Sequence, residues 1–299
     1  MKQILLITGA NGMLAKELAK QLEQEYTVRF LTRTKRINNE YVWDIDSNYI
    51  DPEALIGVNK IIHLAGASIA TNRWTKKRKE IILSSRVDSA QLILAALKKH
   101  AITIEAFISA SAIGYYGSVT KTEVFDEDSP KGNDFLSNVC YEWEQAAADF
   151  KSTGVAERVV IVRTGIVLAK NEGALQQIMK PILYGLGSGL GNGNQYMPWI
   201  HIQDMIGIYK FILDNKTIDE TFNAVAPQQL TNLELTKAIA KQVNRPLFLP
   251  NIPKWFLHLL FGEMATILLN GSKISSKKII AAGYRFQYEK IEDALKVLI

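Results

Sequence analysis

The most constraining feature of this chain is its first turn. Ile4-Leu5-Leu6-Ile7 is a continuous apolar run of buried-strand character. It passes directly into Thr8-Gly9-Ala10-Asn11-Gly12-Met13-Leu14-Ala15, and helical spacing begins at once, with Leu14, Leu18 and Leu22 on one face. A strand that enters a helix through such a turn is built for a diphosphate. Gly9 permits the tight bend, and Gly12 lets backbone approach the pyrophosphate. Ala15 is small enough for close helix–strand packing. The helix N-terminus then offers free N–H groups and a positive dipole end. Gly9, Asn11, Gly12, Met13 and Leu14 are therefore the first candidate cofactor residues; a plain tight turn is the alternative. The end of the second strand selects the cofactor. A site for NAD places an acidic residue about 20 positions on, to hold the ribose 2′-hydroxyl. Here the strand ends Phe30-Leu31-Thr32-Arg33-Thr34-Lys35-Arg36, with no acid. A guanidinium matches phosphate geometry, so Thr32 and Arg33 join the candidate set and NADP(H) is the expected cofactor.

Strand and helix patterns alternate from here to about residue 165. Strand-like runs lie at 3–8, 27–32, 60–65, 105–110 and 158–163, with long helical patterns at 77–99 and 134–152. This predicts an α/β fold, a Rossmann-type doubly wound parallel sheet with a smaller mixed C-terminal lobe. The expected divisions are a dinucleotide-binding domain over 1–165, its sheet completed by segments at about 195–230. Mixed substrate-lobe segments follow over 166–249, and a small helical appendage over 250–299. Residues 174–184, 232–243, 254–269 and 289–298 read as helical. The glycine-rich stretch 185–194 lacks the Gly-Lys-Ser/Thr of a P-loop and reads as a loop.

Composition excludes several classes. Hydrophobic residues make up 47% of the 299, enough for a large core. The net charge of +5 comes from scattered basic residues, which argues against nucleic acid as a partner. Lys76, Lys77, Arg78 and Lys79 read as a solvated helix face. A single cysteine, Cys140, rules out an internal disulfide framework and suits a reducing cytoplasm. No apolar stretch is long enough to span a membrane, and the short run from Trp255 to Leu260 reads as a buried or lobe-packing helix. His63, His100, His201 and His258 have no metal-ligand spacing. The expected partner is a small-molecule substrate, with no nucleic acid and no membrane; the sequence does not give the oligomeric state.

Further segments fall in order along the chain. They are His63-Leu64-Ala65-Gly66-Ala67, then Ser109-Ala110-Ser111-Ala112 with Tyr115-Tyr116-Gly117, then Trp199-Ile200-His201-Ile202-Gln203-Asp204. Together with the glycine turn they resemble an extended short-chain dehydrogenase/reductase. Arg73-Trp74-Thr75, Ser84-Ser85-Arg86, Trp143-Glu144 and Ala282-Gly283-Tyr284-Arg285-Phe286 narrow the resemblance to the atypical branch called epimerase family protein, which carries a small appended C-terminal domain. The resemblance implies that Leu64, Ala65 and Gly66 pass beneath the nicotinamide ribose, and that Ser109 and Ser111 lie on the strand bearing the catalytic serine.

The chain departs from that pattern where proton transfer belongs. Working dehydrogenases use a tyrosine and, four residues later, a lysine that lowers the phenol pKa. Here the aligned positions are Leu136 and Cys140, Glu144 continues the same face, and the family's helical asparagine is replaced by Arg86. Arg86 and Cys140 are thereby candidate cofactor contacts, Arg86 as a fixed charge and Cys140 either as a thiol activated by it or as a small buried residue. Ser111, Tyr115, Tyr116 and His201 are the candidate catalytic groups. Arg73, Trp74 and Trp199 are the candidate substrate pocket, with lobe packing as the alternative. Two functions remain open. One is an NADP(H)-dependent oxidoreductase or epimerase-like enzyme acting on an unidentified polar substrate, nucleotide-linked or free, and the other is a non-catalytic NADP(H)-binding sensor or regulatory interaction protein.

Overall fold

The computed structural model describes residues 2–299. In chain order the first half runs β1 (Gln3–Thr8), α1 (Met13–Leu22), β2 (Tyr26–Thr32), β3 (Glu40–Asp44), β4 (Tyr49–Ile50), β5 (Val58–His63), α2 (Lys76–Lys99), β6 (Ile104–Ala112), β7 (Val124–Phe125), α3 (Phe135–Ser152) and β8 (Ala156–Thr164). The second half is β9 (Ile166–Leu168), α4 (Ala174–Leu183), β10 (Trp199–His201), α5 (Ile202–Asp214), β11 (Thr221–Ala224), α6 (Asn232–Gln242), α7 (Lys254–Phe261), α8 (Thr266–Leu269), β12 (Lys273–Ile274), α9 (Lys277–Ala281) and α10 (Ile291–Leu298).

The doubly wound sheet that the alternation predicts is present. Its order is β11-β8-β6-β5-β1-β2-β3-β4, and only β4 runs antiparallel to its neighbour. From β1 the chain moves outward through β2 and β3, then returns to lay β5 on the other side of β1. The order therefore reverses between β1 and β5, where such sheets bind ligands at the carboxyl edge. Successive side chains of β1 go to opposite faces. Leu5 and Ile7 join α1 and α5 in one core, and Leu6 joins α2 and α3 in the other. Phe107 and Phe150 stack at 3.7 Å between ring centres in the second core and lock α3 onto β6. A third core, with Leu175, Trp199, Leu235 and Leu295, holds α4, α6 and α10 together as the smaller lobe.

Three local expectations change. The helical pattern at 254–269 is broken, because Gly262 adopts φ 60° and ends α7. The α7 face is not buried. Leu257 packs inward on Leu190, Ile252 and Leu269, but Trp255 and Leu259 are 69% and 64% exposed. The third change is α5, a helix that the sequence pattern does not announce; it packs beside α1 against the sheet. Among the described residues no helix is long and apolar enough to cross a membrane.

Candidate functional site

The carboxyl ends of β1, β2 and β5 form one edge. Gly9 has φ 74°, and a Cβ there would stand 3.0 Å from the Leu64 carbonyl oxygen, so only glycine fits without strain. The Gly12 N–H donates to the Gly9 carbonyl at 2.8 Å and closes the turn. Gly12 is the N-cap of α1 and contributes no side-chain cap, which leaves the N–H groups of Met13 and Leu14 for a ligand. The Thr8 hydroxyl accepts from the N–H groups of Leu64 and Ala65, both at 2.9 Å. This bond pair draws Leu64, Ala65 and Gly66 against the turn, so one cleft edge is built from two segments more than 50 residues apart in number.

Beyond the turn, Arg33 is exposed at the end of β2, while Thr32 is buried and donates from its hydroxyl to the Thr34 carbonyl. Arg36 was not singled out by the sequence. Its backbone N–H donates to Glu40 Oε2 at 2.6 Å, which bends the basic run back, and its guanidinium donates to Asn11 Oδ1 at 3.1 Å. One guanidinium, that of Arg36, therefore contacts the turn directly, and Arg33 stands exposed at the end of the neighbouring strand. The signal was visible only as one more basic residue in Arg33-Thr34-Lys35-Arg36, because the buried Glu40 that folds the run back lies on another strand.

The other end of the edge, at β6, is closed by an ion pair. The Ser111 hydroxyl donates to Glu144 Oε1 at 2.7 Å, and Arg163 holds both carboxylate oxygens, Nε to Oε1 and Nη2 to Oε2, each at 2.8 Å. Arg163 Nη1 also donates to the Tyr116 hydroxyl at 3.0 Å, and that hydroxyl donates to Asn223 Oδ1 at 2.8 Å. Tyr116 is thus a buried structural residue. Burial pushes its phenol up to about 12, and it does not serve as a proton donor facing a substrate. Its neighbour Tyr115 is half-buried, with its ring lying 3.4 Å from the Arg163 Cζ. Adjacent in sequence on a short 3₁₀ turn, the two rings meet edge-on with centres 5.5 Å apart, and both lie beside the Arg163 guanidinium. Ser109, one strand repeat earlier, is buried and donates to the Ala110 carbonyl.

Leu136, Cys140 and Glu144 share one face of α3, and the first two lie against Gly114. Cys140 is not an activated thiol. Burial first, and the Glu144 carboxylate second, push it up to about 12, and the opposing effect of Arg86 is smaller. Arg86 does not project into open solvent. Its guanidinium lies against Gly66, where a Cβ would come within 2.9 Å of Cζ, and it donates to the carbonyls of Ala67 and Ile82 at 3.1 and 2.8 Å. It also lies over the Trp143 ring. Burial lowers its pKa to about 10, which leaves it charged at neutral pH. It fastens the segment that the resemblance puts beneath the nicotinamide ribose.

Two sequence candidates belong elsewhere. Trp199 is fully buried in the third core, so it cannot face a substrate. His201 caps α5, accepting at Nδ1 from the Gln203 N–H at 3.1 Å, and its ring lies on Tyr288; burial pushes its pKa down to about 4. Nδ1 is thus taken up by the cap, while Nε2 is buried without a hydrogen-bond partner among the described residues. Arg73 and Trp74 do not assemble with Trp199. Arg73 donates to the carbonyls of Leu259 and Leu260 at the end of α7, while Trp74 donates to the Ile69 carbonyl and lies edge-on to Phe135. Both pin the loop after β5 to neighbouring elements. Among the described residues no three His, Cys, Asp or Glu side chains converge as a metal site.

Comparison with known proteins matches residues 5–224 to the model of the NAD dependent epimerase/dehydratase family and residues 252–298 to a domain of unknown function, DUF1731. The chain is 33% identical over 297 residues to epimerase family protein Mb2239 of Mycobacterium bovis, covering 98% of this chain and 96% of that one. It is 31% identical to epimerase family protein YfhF of Bacillus subtilis, covering 99% and 97%. Among solved structures, the human epimerase family protein SDR39U1 with NADPH superimposes at a TM-score of 0.87, with 29% identity and 99% of both chains covered. The UDP-glucuronic acid 4-epimerase of Bacillus cereus in complex with NAD, at 18% identity and a TM-score of 0.77 over 98% of this chain and 94% of that one, shares the fold.

Proposed function

Because the chain belongs to the NAD dependent epimerase/dehydratase family, we propose that it binds NADP(H) at the β1–β5 edge and is an oxidoreductase or epimerase-like enzyme without the usual tyrosine–lysine pair. The observation that carries the cofactor assignment is the glycine turn with Arg36 bonded to its Asn11 and with the exposed Arg33, and no acid, at the end of β2. The residues fit the group. Gly12 leaves room where a side chain would meet the pyrophosphate, and the first turn of α1 donates to it. Arg33, with Arg36 beside it, takes the 2′-phosphate. The NADPH bound by the human relative supports the same choice. When bound, the cofactor supplies or accepts the hydride.

The chain's own residues then set the proton. Ser111 directs its hydrogen at Glu144, so its oxygen offers a substrate only lone pairs. Tyr116 is committed to Asn223. Tyr115 is the remaining phenol of the candidate set, and we assign it the proton, with the Arg163 guanidinium on its ring as the nearest positive charge. The substrate is a carbonyl or hydroxyl compound of polar, nucleotide-linked type, by analogy with the fold.

Two measurements test this reading. Titration should show NADPH bound more tightly than NADH. Arg33→Ala should weaken NADPH about tenfold or more, as loss of a charge-assisted contact costs about 1.5–3 kcal/mol, and leave NADH nearly unchanged. Arg36→Ala combined with it should remove the preference. Equal affinities in the wild type would refute the 2′-phosphate site.

The second reading, a non-catalytic NADP(H)-binding sensor, is favoured by one observation: the serine hydroxyl is already engaged by a buried carboxylate. Turnover separates the two. Under the enzymatic reading, NADPH is consumed with a carbonyl or nucleotide-sugar substrate, and Tyr115→Phe lowers kcat about a hundredfold or more without changing the NADPH Kd. Tight NADPH binding with no turnover across a broad panel selects the sensor.

A further inference from the structure

The short apolar run from Trp255 to Leu260 is largely exposed instead of buried. Trp255 and Leu259 form one i, i+4 pair on α7, and Phe256 and Leu260 form another; all four are exposed, while Leu257 faces the lobe. The face extends beyond the helix. The Ser188 hydroxyl donates to the Pro250 carbonyl at 2.6 Å, and the Ile252 N–H donates to the Gly189 carbonyl at 2.8 Å. These bonds lay the glycine-rich loop beside the segment leading into α7. Tyr184 and Leu186, at the loop's start, and Phe248, before α7, are 74%, 62% and 70% exposed. Such a concentration of large apolar side chains on one lobe exceeds the scattered exposure usual on a soluble surface.

The charge beside this face is mainly positive. Lys180, Arg245 and Lys254 lie within four residues of Tyr184, Phe248 and Trp255 in the sequence and form no ion pair among the described residues, while the acids Glu80, Glu172 and Glu234 stand at the margins. Lys254 lies at the first position of α7, with its stem against Gly191. At the other end of α7, Arg73 holds the Leu259 and Leu260 carbonyls and brings the exposed Lys76 and Lys77 into the same neighbourhood. The nearby Glu263 is neutralised by Lys79 at 2.7 Å.

We infer that this face of α7 and the adjoining loop docks on the surface of an anionic phospholipid bilayer, with Trp255, Phe256, Leu259 and Leu260 entering the headgroup–acyl boundary and the lysines meeting lipid phosphates. An exposed helix with tryptophan, phenylalanine and leucine on one side and a basic surround is the combination that binds such a surface. Attachment of this kind requires no spanning helix. A second copy of the chain fits less well, because two-fold pairing of this face would set its uncompensated cations against the same cations. The inference is independent of the reading of the cofactor cleft.

The test is sedimentation of the full chain with vesicles of phosphatidylcholine alone and of phosphatidylcholine containing one-third phosphatidylglycerol. The protein should pellet with the anionic vesicles, fail to pellet with the neutral ones, and be released by high salt, which screens the attraction. Trp43, Trp143 and Trp199 are already buried, so a blue shift of tryptophan emission on vesicle addition should come mainly from Trp255. The double change Trp255→Ser with Leu259→Ser should lower vesicle binding about tenfold or more and abolish the shift. Both side chains are exposed, and unchanged circular dichroism and NADPH affinity confirm that the variant is folded. Absence of pelleting with anionic vesicles, or full retention by the double variant, overturns the inference. So does concentration-dependent self-association that the same variant removes, since the face would then be a contact between copies of the chain.

Discussion

Gly12→Val is expected to abolish NADP(H) binding, by a hundredfold or more in Kd, while the protein stays folded. Gly12 has φ −73° and ψ 148°, an extended conformation open to any residue, so valine introduces no backbone strain. Apart from its chain neighbours and the backbone of its own helix, the atom within 4 Å of a Cβ there is the Gly9 carbonyl oxygen at 3.2 Å, a tight contact for which the turn must give by a few tenths of an ångström. The space beyond is where a pyrophosphate meets the first turn of α1, and the branched side chain occupies it. Several charge-assisted hydrogen bonds are lost together, each of about 1.5–3 kcal/mol, so the loss should far exceed that of Arg33→Ala. Gly9 would not serve as the test. Its positive φ and its approach to Leu64 mean that a substitution there strains the fold and the site at once. Circular dichroism and a cofactor titration decide the matter. A folded Gly12→Val protein that binds NADPH normally would show that the phosphate site lies elsewhere.

The central sheet was legible because a strand covered on both faces carries a continuous apolar run, as in Ile4-Leu5-Leu6-Ile7, and because its crossover helices are long. Strand β3 was hidden because Glu40–Asp44 is only five residues long and begins with a buried glutamate. Helix α5 was hidden because it lies against both the sheet and the C-terminal segment. Asp204 near its start is fully buried and accepts from the Tyr284 hydroxyl and the Gln287 and Tyr288 N–H groups. That leaves no clean polar stripe to read.

The site divides in the same way. The glycine turn is local, so its geometry follows from eight consecutive residues. The reactive end is not local. Residue type alone does not say which way a side chain leaves a three-residue strand, and in β10 both Trp199 and His201 turn inward. Glu144 was visible as the next step on the Leu136–Cys140 face. Its partner Arg163 stands on β8, the next element along the chain, but which positions of a helix and of the strand after it meet depends on how the two pack and not on a spacing in the sequence.

That partner makes Glu144→Ala the most destabilising single change expected here. The Glu144–Arg163 side chains are 8% and 5% exposed, and removing the carboxylate leaves a guanidinium buried without its counter-charge. Breaking a buried pair in this way costs about 3–5 kcal/mol, a large share of the roughly 5–15 kcal/mol that holds a domain together. The remaining contacts of Arg163 do not replace the carboxylate. The Tyr116 hydroxyl and the Glu127 carbonyl are neutral, and the Tyr115 ring offers only its face. Pairing Glu144→Leu with Arg163→Met should be far milder than the single loss, because neither charge is then buried alone. Urea denaturation of the wild type, the single variant and the double variant measures this directly. The single variant should unfold at a much lower urea concentration, and the double variant should recover most of the difference. If Glu144→Ala unfolds at the wild-type midpoint, the Arg163 charge is being solvated by some other route, and the ion pair does not hold β8 to α3. If the double variant is as unstable as the single one, the cost lies in lost packing around Ser111 and Tyr116 rather than in an uncompensated charge.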